Sequence, residues 1–367
     1  MFKNYYYFIF FILSLCFIAC DPDESMEQDE DLYDRAGLLT NWADNIIIPA
    51  YDSFYNSLID LNGKVMDFTQ TPSTLLLNEL SDAWLIAYKD WQHVEMFDIG
   101  LAEVINYKGK MNIYPTDSEL IEQNIIDGDY DLSNNNNFDS RGFPAMDYMI
   151  HGLSDDPQII VDYYLSNLAY TTYLVSIIDQ MVNDTDLIVQ DWDSFRIDFI
   201  SSTDNTATSA MNKMTNDFIY YFEKGLRANK IGIPAGIFSN DPIPTAVEGF
   251  YKQDVSKELA LEALLATQNF FKGKYYNSEI FGASLESYLS YLDVSSSNDL
   301  VENILLQFIV AQTQLNQLSD NFINQIETNN MEMLLAYDAI QQLVVAFKVD
   351  MLQSLSISVD YVDADGD

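Results

Sequence analysis

The sequence predicts an all-α protein built from helical bundles, and three observations support that class. Apolar residues recur at alternate steps of three and four, as on the buried face of a packed helix. Residues that cap helices stand at the start of several such stretches. Runs of short strand-like segments at regular spacing are missing from the sequence. The clearest apolar seam consists of Phe308, Ala311, Leu315, Leu318 and Phe322.

The start signals and the apolar periodicity place the helices in order along the chain. Thr71-Pro72 and Asp156-Pro157 each put a capping residue before a proline at the first helical position, and Ser256 is a third capping candidate. Thr116 and Glu119 have the spacing of a capping box. Long helices joined by modest loops favour antiparallel bundles. The predicted helices span residues 33–62, 72–104, 117–125, 143–151, 157–183, 203–229, 256–272, 297–327 and 330–350.

The segment Ile231–Pro244 divides the predicted helices into two blocks. It contains two glycines and three prolines, which predicts irregular structure, because proline and glycine interrupt helices. A chain of this length suggests two domains or one large one. We therefore predict an N-terminal helical-bundle domain over residues 34–230 and a C-terminal helical-bundle domain over residues 231–367.

The N-terminus predicts export and lipid anchoring. Residues 1–19 read as a signal peptide, because their apolar run is too short to span a bilayer and ends in Ala19 before Cys20. This ending resembles a bacterial lipobox, in which Cys20 receives the lipid; ordinary signal cleavage is the alternative. Residues 20–33 are strongly acidic and predict a disordered tether. We expect an outer-membrane lipoprotein on the periplasmic or the cell-surface face.

Charge and cysteine content exclude several classes of function. The net charge is −40 and the chain lacks a run of basic residues, so nucleic-acid binding is not expected. Basic patches for anionic lipids are absent too, so the lipid on Cys20 would supply the membrane attachment. The second cysteine, Cys16, lies in the signal peptide. The mature chain would therefore have no disulfide and no cysteine nucleophile.

Candidate catalytic and metal-binding residues are few. The chain has two histidines, His93 and His151, and neither belongs to a spaced pair of metal ligands. Asp90 and His93 are three residues apart and could share a helix face. His151 fits the C-terminal end of a helix, where the macrodipole favours a positive charge. These positions leave a metal site and a structural role both open for His93.

Several segments together resemble the imelysin family, which is also classified as peptidase family M75. They are Trp84–Gly100, Ile113–Asp117, Gly142–Gly152 (GFPAMDYMIHG) and Arg227–Gly273, and the resemblance covers about residues 35–360. It implies an all-α fold of two bundle-like domains with a site at their interface. It also implies export and an association with iron acquisition, and for some members a zinc-peptidase role. Iron and zinc are therefore the metals that the resemblance suggests.

The signature of that family is G-x-H-x-x-E, and the matching residues here are Gly142, Pro144 and Asp147. Proline offers no metal ligand and no base, and aspartate is one methylene shorter than glutamate. A structural reading explains the segment equally, with Gly142 in a turn, Pro144 in a first helical turn, and Asp147 near a helix N-terminus. Glu95 matches the family's helix-borne acid, and we expect Arg227 to pair with Glu95 or Asp147.

These observations lead to one leading hypothesis and two alternatives. We expect an exported, lipid-anchored protein that binds rather than cleaves, in iron or nutrient acquisition, alongside an outer-membrane transport or uptake component. Its interface site would comprise Glu95, Gly142, Pro144, Asp147 and Arg227. The first alternative is a divergent metal-dependent peptidase that uses His93, Glu95 and Asp147. The second is a surface scaffold for an outer-membrane partner.

Overall fold

Helices make up most of the chain in the computed structural model, which describes residues 32–293 and 299–361. Within those ranges there is no β-strand, and one isolated bridge joins Lys274 to Phe281. The all-α prediction is thus confirmed. The predicted signal peptide, Cys20 and the tether up to residue 31 lie outside the described residues. None of the described helices is long and apolar enough to cross a membrane.

Thirteen helices can be followed through the described ranges; four of them include a π-helical stretch, and the last is kinked at Asn329, where φ is −157°. They are α1 (Arg35–Asn41, π-helical Trp42–Ile47, then Ile48–Gln70), α2 (Thr74–Gln92), α3 (Leu101–Val104), α4 (Tyr107–Met111), α5 (Ser118–Asp127), α6 (Gly142–Asp147, then π-helical Tyr148–Gly152), α7 (Pro157–Ser166), α8 (Leu168–Ser201), α9 (Ala210–Tyr220, π-helical Tyr221–Gly232, then Ile233–Ala235), α10 (Ser256–Lys272), α11 (Leu285–Asp293), α12 (Leu300–Gln317) and α13 (Phe322–Val345, π-helical Ala346–Met351, then Leu352–Leu355). Short 3-10 turns cover Asn135–Ser140 and Pro244–Ala246.

Side-chain caps set several helix starts, and not always at the predicted residue. Asp156 caps α7 as predicted, through its side chain and the backbone N–H of Gln158. In α2 the cap is Ser73 rather than Thr71, and in α5 it is Asp117 rather than Thr116. Ser256 is the first residue of α10, and its hydroxyl donates to the Glu248 carbonyl oxygen instead of capping the helix.

Three predicted long helices are interrupted in the structure. At each break, a polar side chain forms a hydrogen bond with a backbone N–H or carbonyl group. Asn167 ends α7 and caps α8, so the predicted helix 157–183 is two helices. Asn321 caps α13 after a break that follows Gln317, so the apolar seam from Phe308 to Phe322 spans two helices. Helix α2 ends at Gln92 and a turn follows, where Tyr51 donates its hydroxyl to the Phe97 carbonyl oxygen at 3.0 Å.

The irregular segment predicted after residue 230 begins later than expected. Helix α9 continues through Lys230 and Ile231 to Ala235, and Pro234 lies in its last turn. Gly236 then ends the helix with φ +85°, and Ile237 N–H donates to the Gly232 carbonyl oxygen at 2.9 Å. A helix therefore crosses the predicted boundary between residues 34–230 and 231–367. That two-domain division remains a prediction; the described residues from Arg35 onward form one compact unit.

Helix α10 connects the two sets of helices that pack on each other. Helices α1, α2 and α8 pack side by side, as do α12, α13 and the π-helical part of α9. Helix α10 contacts α2 on one side and both α9 and α12 on the other. Trp42 of α1 stacks on Phe270 of α10, with ring centroids 4.9 Å apart. The ends of α2 and α9 are thereby held next to the loop that precedes α10.

Candidate functional site

A buried cluster of charged side chains forms where the turn after α2, the end of α9 and the loop before α10 meet. The ammonium group of Lys230 lies 2.7 Å from Oε1 and 2.6 Å from Oε2 of Glu248. It also lies 3.7 Å from Oε2 of Glu95. Lys230 and Glu248 are each only 2% exposed. A lysine is therefore the cation that compensates these two carboxylates.

Amide side chains complete this cluster. Asn112 Nδ2 donates to Oε1 of Glu95 at 3.1 Å and to Oε1 of Glu248 at 2.9 Å. The Tyr88 hydroxyl donates to Oδ1 of Asn112 at 2.6 Å, which fixes the orientation of the amide. Gln92 Nε2 adds a bond of 3.3 Å to Oε1 of Glu248. The carboxylates are thus held by a rigid set of donors from α2 and from the segment after α4.

Burial dominates the protonation behaviour of the cluster. It raises the pKa of Glu95, while the charge of Lys230 lowers it and that of Glu248 raises it further. Burial and the nearby glutamates also raise the pKa values of Tyr88, Tyr114 and Tyr221. The three phenols are therefore neutral hydrogen-bonding groups, and none is poised as a phenolate base.

The segment GFPAMDYMIHG forms α6, and its first glycine is required by a close backbone approach. Gly142 has φ +75°, and a Cβ there would lie 2.2 Å from the Met111 carbonyl oxygen. Trp84 Nε1 donates to the Phe143 carbonyl oxygen at 3.2 Å and fixes α6 against α2. Pro144 is buried in the first turn of the helix. The turn expected at Gly142 and the helical position expected of Pro144 match this geometry.

Asp147 is held by the loop before α10 and by His151. Its Oδ2 accepts from the Tyr251 backbone N–H at 2.9 Å, and its Oδ1 accepts from the Lys252 backbone N–H at 3.0 Å. Nδ1 of His151 lies 2.8 Å from Oδ1 of Asp147. Asp147 is the last residue of the α-helical part of α6, so the suggested interaction with a helix N-terminus is wrong. His151 lies in the last turn of α6, as predicted, and its carboxylate partner Asp147 fixes it there.

His151 lies between a carboxylate and a serine, Asp147 and Ser81, in the order Asp-His-Ser that acyl-transfer triads have. Nε2 of His151 lies 2.8 Å from the Ser81 hydroxyl, while Nδ1 faces Asp147. Such an order suits nucleophilic catalysis only where the serine can meet a substrate carbonyl. Ser81 is 5% exposed and lies within α2, against α6. The three residues therefore connect α2, α6 and the loop before α10.

His93 belongs to a different network from Glu95. Its Nε2 lies 2.7 Å from Oε1 of Glu262 on α10, and its ring meets Tyr276 edge-on. The hydrogen bond from His93 is the main cause that lowers the pKa of Glu262. Asp90, the neighbour suggested by helical spacing, accepts a hydrogen bond from Ser57. This histidine thus joins α2 to α10.

Arg227 does not form the predicted pair with Glu95 or Asp147 among the described residues. It lies one turn before Lys230 and contacts Glu223 at 3.5 Å, Gln341, and the ring of Tyr337. The base beside Glu95 is Lys230 instead. Lys230 was not predicted at the site, because the predicted helix ends at residue 229. Glu248 and Asn112 were not predicted there either, because no helical spacing relates them to Glu95.

Comparison with known proteins agrees with the sequence resemblance. A family model described as imelysin matches residues 47–348. The chain belongs to the imelysin family. Two solved structures share the imelysin fold with it at a TM-score of 0.70. One, described as an iron-regulated protein A precursor from Parabacteroides distasonis, is 18% identical, with 88% of this chain and 94% of that chain covered. The other, an imelysin-like protein from Psychrobacter arcticum, is 16% identical, with 89% and 97% covered.

A curated relative aligns over a shorter part of the chain. It is iron-regulated protein A of Synechococcus elongatus, which is 26% identical over 87 residues. The alignment covers 22% of this chain and 24% of that relative. The chain therefore spans about a quarter of the length of this relative, and the match carries less weight than the family model.

The residues at the imelysin signature do not fit a catalytic zinc ion. Such an ion needs about three protein ligands and an open position. Here the signature histidine is Pro144, Asp147 has both oxygens engaged, and Lys230 already compensates Glu95 and Glu248. His93, Glu95 and Asp147 lie in three separate networks. Within the described residues, no group of three or more His, Cys, Asp or Glu side chains could hold a metal ion.

Cavities lie on three sides of these networks. One of about 360 Å³ is lined by His93 and Glu262, and one of about 150 Å³ by Pro144 and Asp147. A third, of about 280 Å³, has Glu95 in its wall. The site thus offers space for small molecules next to fixed polar groups.

Proposed function

We propose that this protein is a lipid-anchored imelysin-family protein that binds a ligand without cleaving it, in iron or nutrient acquisition. The observation that carries the proposal is the ion pair between Lys230 and Glu248, with Pro144 at the signature histidine position. A lysine ammonium 2.6 Å from one carboxylate and 3.7 Å from the other provides the positive charge that a metal ion would otherwise supply. The cavity beside Glu95 would receive the ligand.

The link to iron is supported by relatives. The family match covers residues 47–348, and both iron-regulated protein A proteins carry iron regulation in their descriptions. Regulation by iron fits a component of an acquisition system. In that role, the protein would present its ligand to an outer-membrane transport or uptake component.

Lipid anchoring on Cys20 would keep the protein at the membrane. The support is the short apolar run of residues 8–19 with Ala19 before Cys20, together with the acidic segment after it. Replacing Cys20 by serine should move the protein from the membrane fraction to the soluble exported fraction. Cys16→Ser is the matched control, because it alters the signal peptide but keeps the lipid acceptor. Membrane retention of the Cys20→Ser protein would contradict the anchor.

Metal analysis and a protease assay test the non-catalytic role. The full-length protein, extracted in detergent, should leave casein intact with or without added zinc. It should contain no stoichiometric zinc after dialysis. Chelator-sensitive cleavage of casein, lost on Glu95→Gln substitution, would instead support the divergent peptidase.

A further inference from the structure

The cavity beside Glu95 contains polar groups whose hydrogen bonding is incomplete. It lies between the turn after α2, the segment from Asn106 to Ile113, and α9. Oε2 of Glu95, the hydroxyl of Tyr221 and Nζ of Lys224 are buried and have no well-aligned hydrogen bond among the described residues. The Tyr221 hydroxyl faces Glu95, whose side chain is 11% exposed, and this contact contributes to the raised pKa of the phenol. Buried polar atoms normally have well-aligned partners, so Glu95 and Lys224 retain bonding capacity for a molecule in the cavity.

Glu95 and Lys224, the two charged groups among them, have opposite signs. Glu95 presents an acceptor oxygen whose contact with Lys230 is 3.7 Å, too long for a hydrogen bond. Lys224 presents a donor whose neighbour is Oε1 of Glu223 at 3.4 Å, and the other oxygen of Glu223 is 3.0 Å from Lys348. Glu95 would therefore bind a donor on the ligand, and Lys224 would bind an acceptor.

The remaining charges in the wall do not favour a simple cation or a simple anion. Asp98 is paired with Lys108 at 2.5 Å. Burial, followed by the charge of Asp98, raises the pKa of Asp217 to about 8, so this carboxyl is mostly neutral at pH 7. A divalent cation would meet the ammonium groups of Lys108 and Lys224. An anion would meet the carboxylates of Glu95 and Asp98.

We infer that this cavity binds a small zwitterion, with the ligand's ammonium at Glu95 and its carboxylate at Lys224. A free α-amino acid is the chemical class that fits. The volume of about 280 Å³ equals that of about nine water molecules at about 30 Å³ each, enough for an amino acid with its side chain. The rings of Tyr220 and Tyr221 line the same cavity and would contact that side chain. This inference rests on the proposed binding function and names its ligand.

Calorimetry on the full-length protein in detergent tests the assignment. Glycine, leucine and phenylalanine are the probes, and at least one should bind saturably. For the amino acid that binds best, the amine without the carboxylate and the acid without the amine should each bind about tenfold more weakly or worse. Equal binding by either half-molecule would overturn the inference.

Substitutions then locate the site. Glu95→Gln and Lys224→Met should each weaken binding about tenfold, and Tyr221→Phe should weaken it about threefold to tenfold because it removes a single hydrogen bond. Exposed Glu327→Gln and Lys64→Met are matched controls that should not change the affinity. Circular dichroism would verify that each variant is folded, and Tyr221→Phe keeps the test usable if the charge variants unfold.

The outcomes separate this inference from the proposed function. If no amino acid binds, or if neither charge variant changes the affinity, the zwitterion site is wrong, while intact casein still supports the non-catalytic proposal. If the protein cleaves casein in a chelator-sensitive way, the non-catalytic proposal fails whatever the calorimetry shows.

Discussion

Lys230 and Glu248 form a bidentate ion pair, with Nζ 2.7 Å and 2.6 Å from the two carboxylate oxygens, in a nearly solvent-free environment. Two separate segments meet through this pair, because Lys230 lies in the last turn of the π-helical part of α9 and Glu248 lies in the loop before α10. π-Helical stretches are frequent at functional sites. The pair therefore joins α9 to the loop before α10 beside Glu95.

Removing the lysine should leave two buried carboxylates without their cation. Lys230→Met is expected to lower the free energy of unfolding by about 3–5 kcal/mol, because an uncompensated buried charge is strongly unfavourable. Lys64→Met, which breaks a surface pair with Glu79, should lower it by no more than about 1 kcal/mol. Urea unfolding followed by circular dichroism measures both. Equal effects in the two variants would mean that the buried pair has no special role.

The unusual carboxyl of Asp217 should make stability fall as pH rises. Its pKa is raised from 3.8 to about 8, mainly by burial, so between those values the unfolded chain loses a proton that the folded chain keeps. Ionisation then favours unfolding progressively from about pH 4 to about pH 8. Asp217→Asn should be more stable than the parent by roughly 1–3 kcal/mol at pH 8.5 and should show a smaller difference at pH 4.5.

The control for this experiment is Asp241→Asn, at an exposed aspartate. It should leave the pH dependence unchanged. The urea midpoint of the parent protein should decrease from pH 5 to pH 8.5, after correction for the exposed-site control. If it does not decrease, Asp217 ionises normally.

Restoring the signature histidine should not restore a metal centre. In Pro144→His, a new imidazole would face Asp147, whose oxygens are already bonded to two backbone N–H groups and His151. The nearby carboxylates remain paired with Lys230. Zinc measured by mass spectrometry after dialysis should stay at the parent level, with Pro144→Ala as the control for loss of the ring. One equivalent of zinc in the histidine variant would show that proline alone had abolished the site.

Sequence reasoning succeeded where local patterns decide the structure and failed where tertiary contacts do. The span of α10 follows from its apolar periodicity and agrees with residues 256–272. The site needed more, since Glu95, Asn112 and Glu248 come from separate turns that only the packed fold brings together. The sequence predicts irregular structure from Ile231 to Pro244, which leaves Lys230 beyond the predicted helix that contains Arg227. A helix that continues to Ala235 places the later base at the cluster.

The close approach of Gly142 to the end of α4 gives a direct test of how α6 is positioned. A Cβ at Gly142 would overlap the Met111 carbonyl oxygen at 2.2 Å, and its φ of +75° is unfavourable for alanine. Gly142→Ala should therefore lower the free energy of unfolding by about 3 kcal/mol or more. A Cβ at Gly63, inside α1, would meet no atom within 4 Å other than the helix's own backbone, so Gly63→Ala should raise the free energy of unfolding by about 0.5–1 kcal/mol. Urea titrations of both variants would measure these opposite changes in the free energy of unfolding. If the Gly142→Ala protein is as stable as its parent, α6 does not approach Met111 so closely.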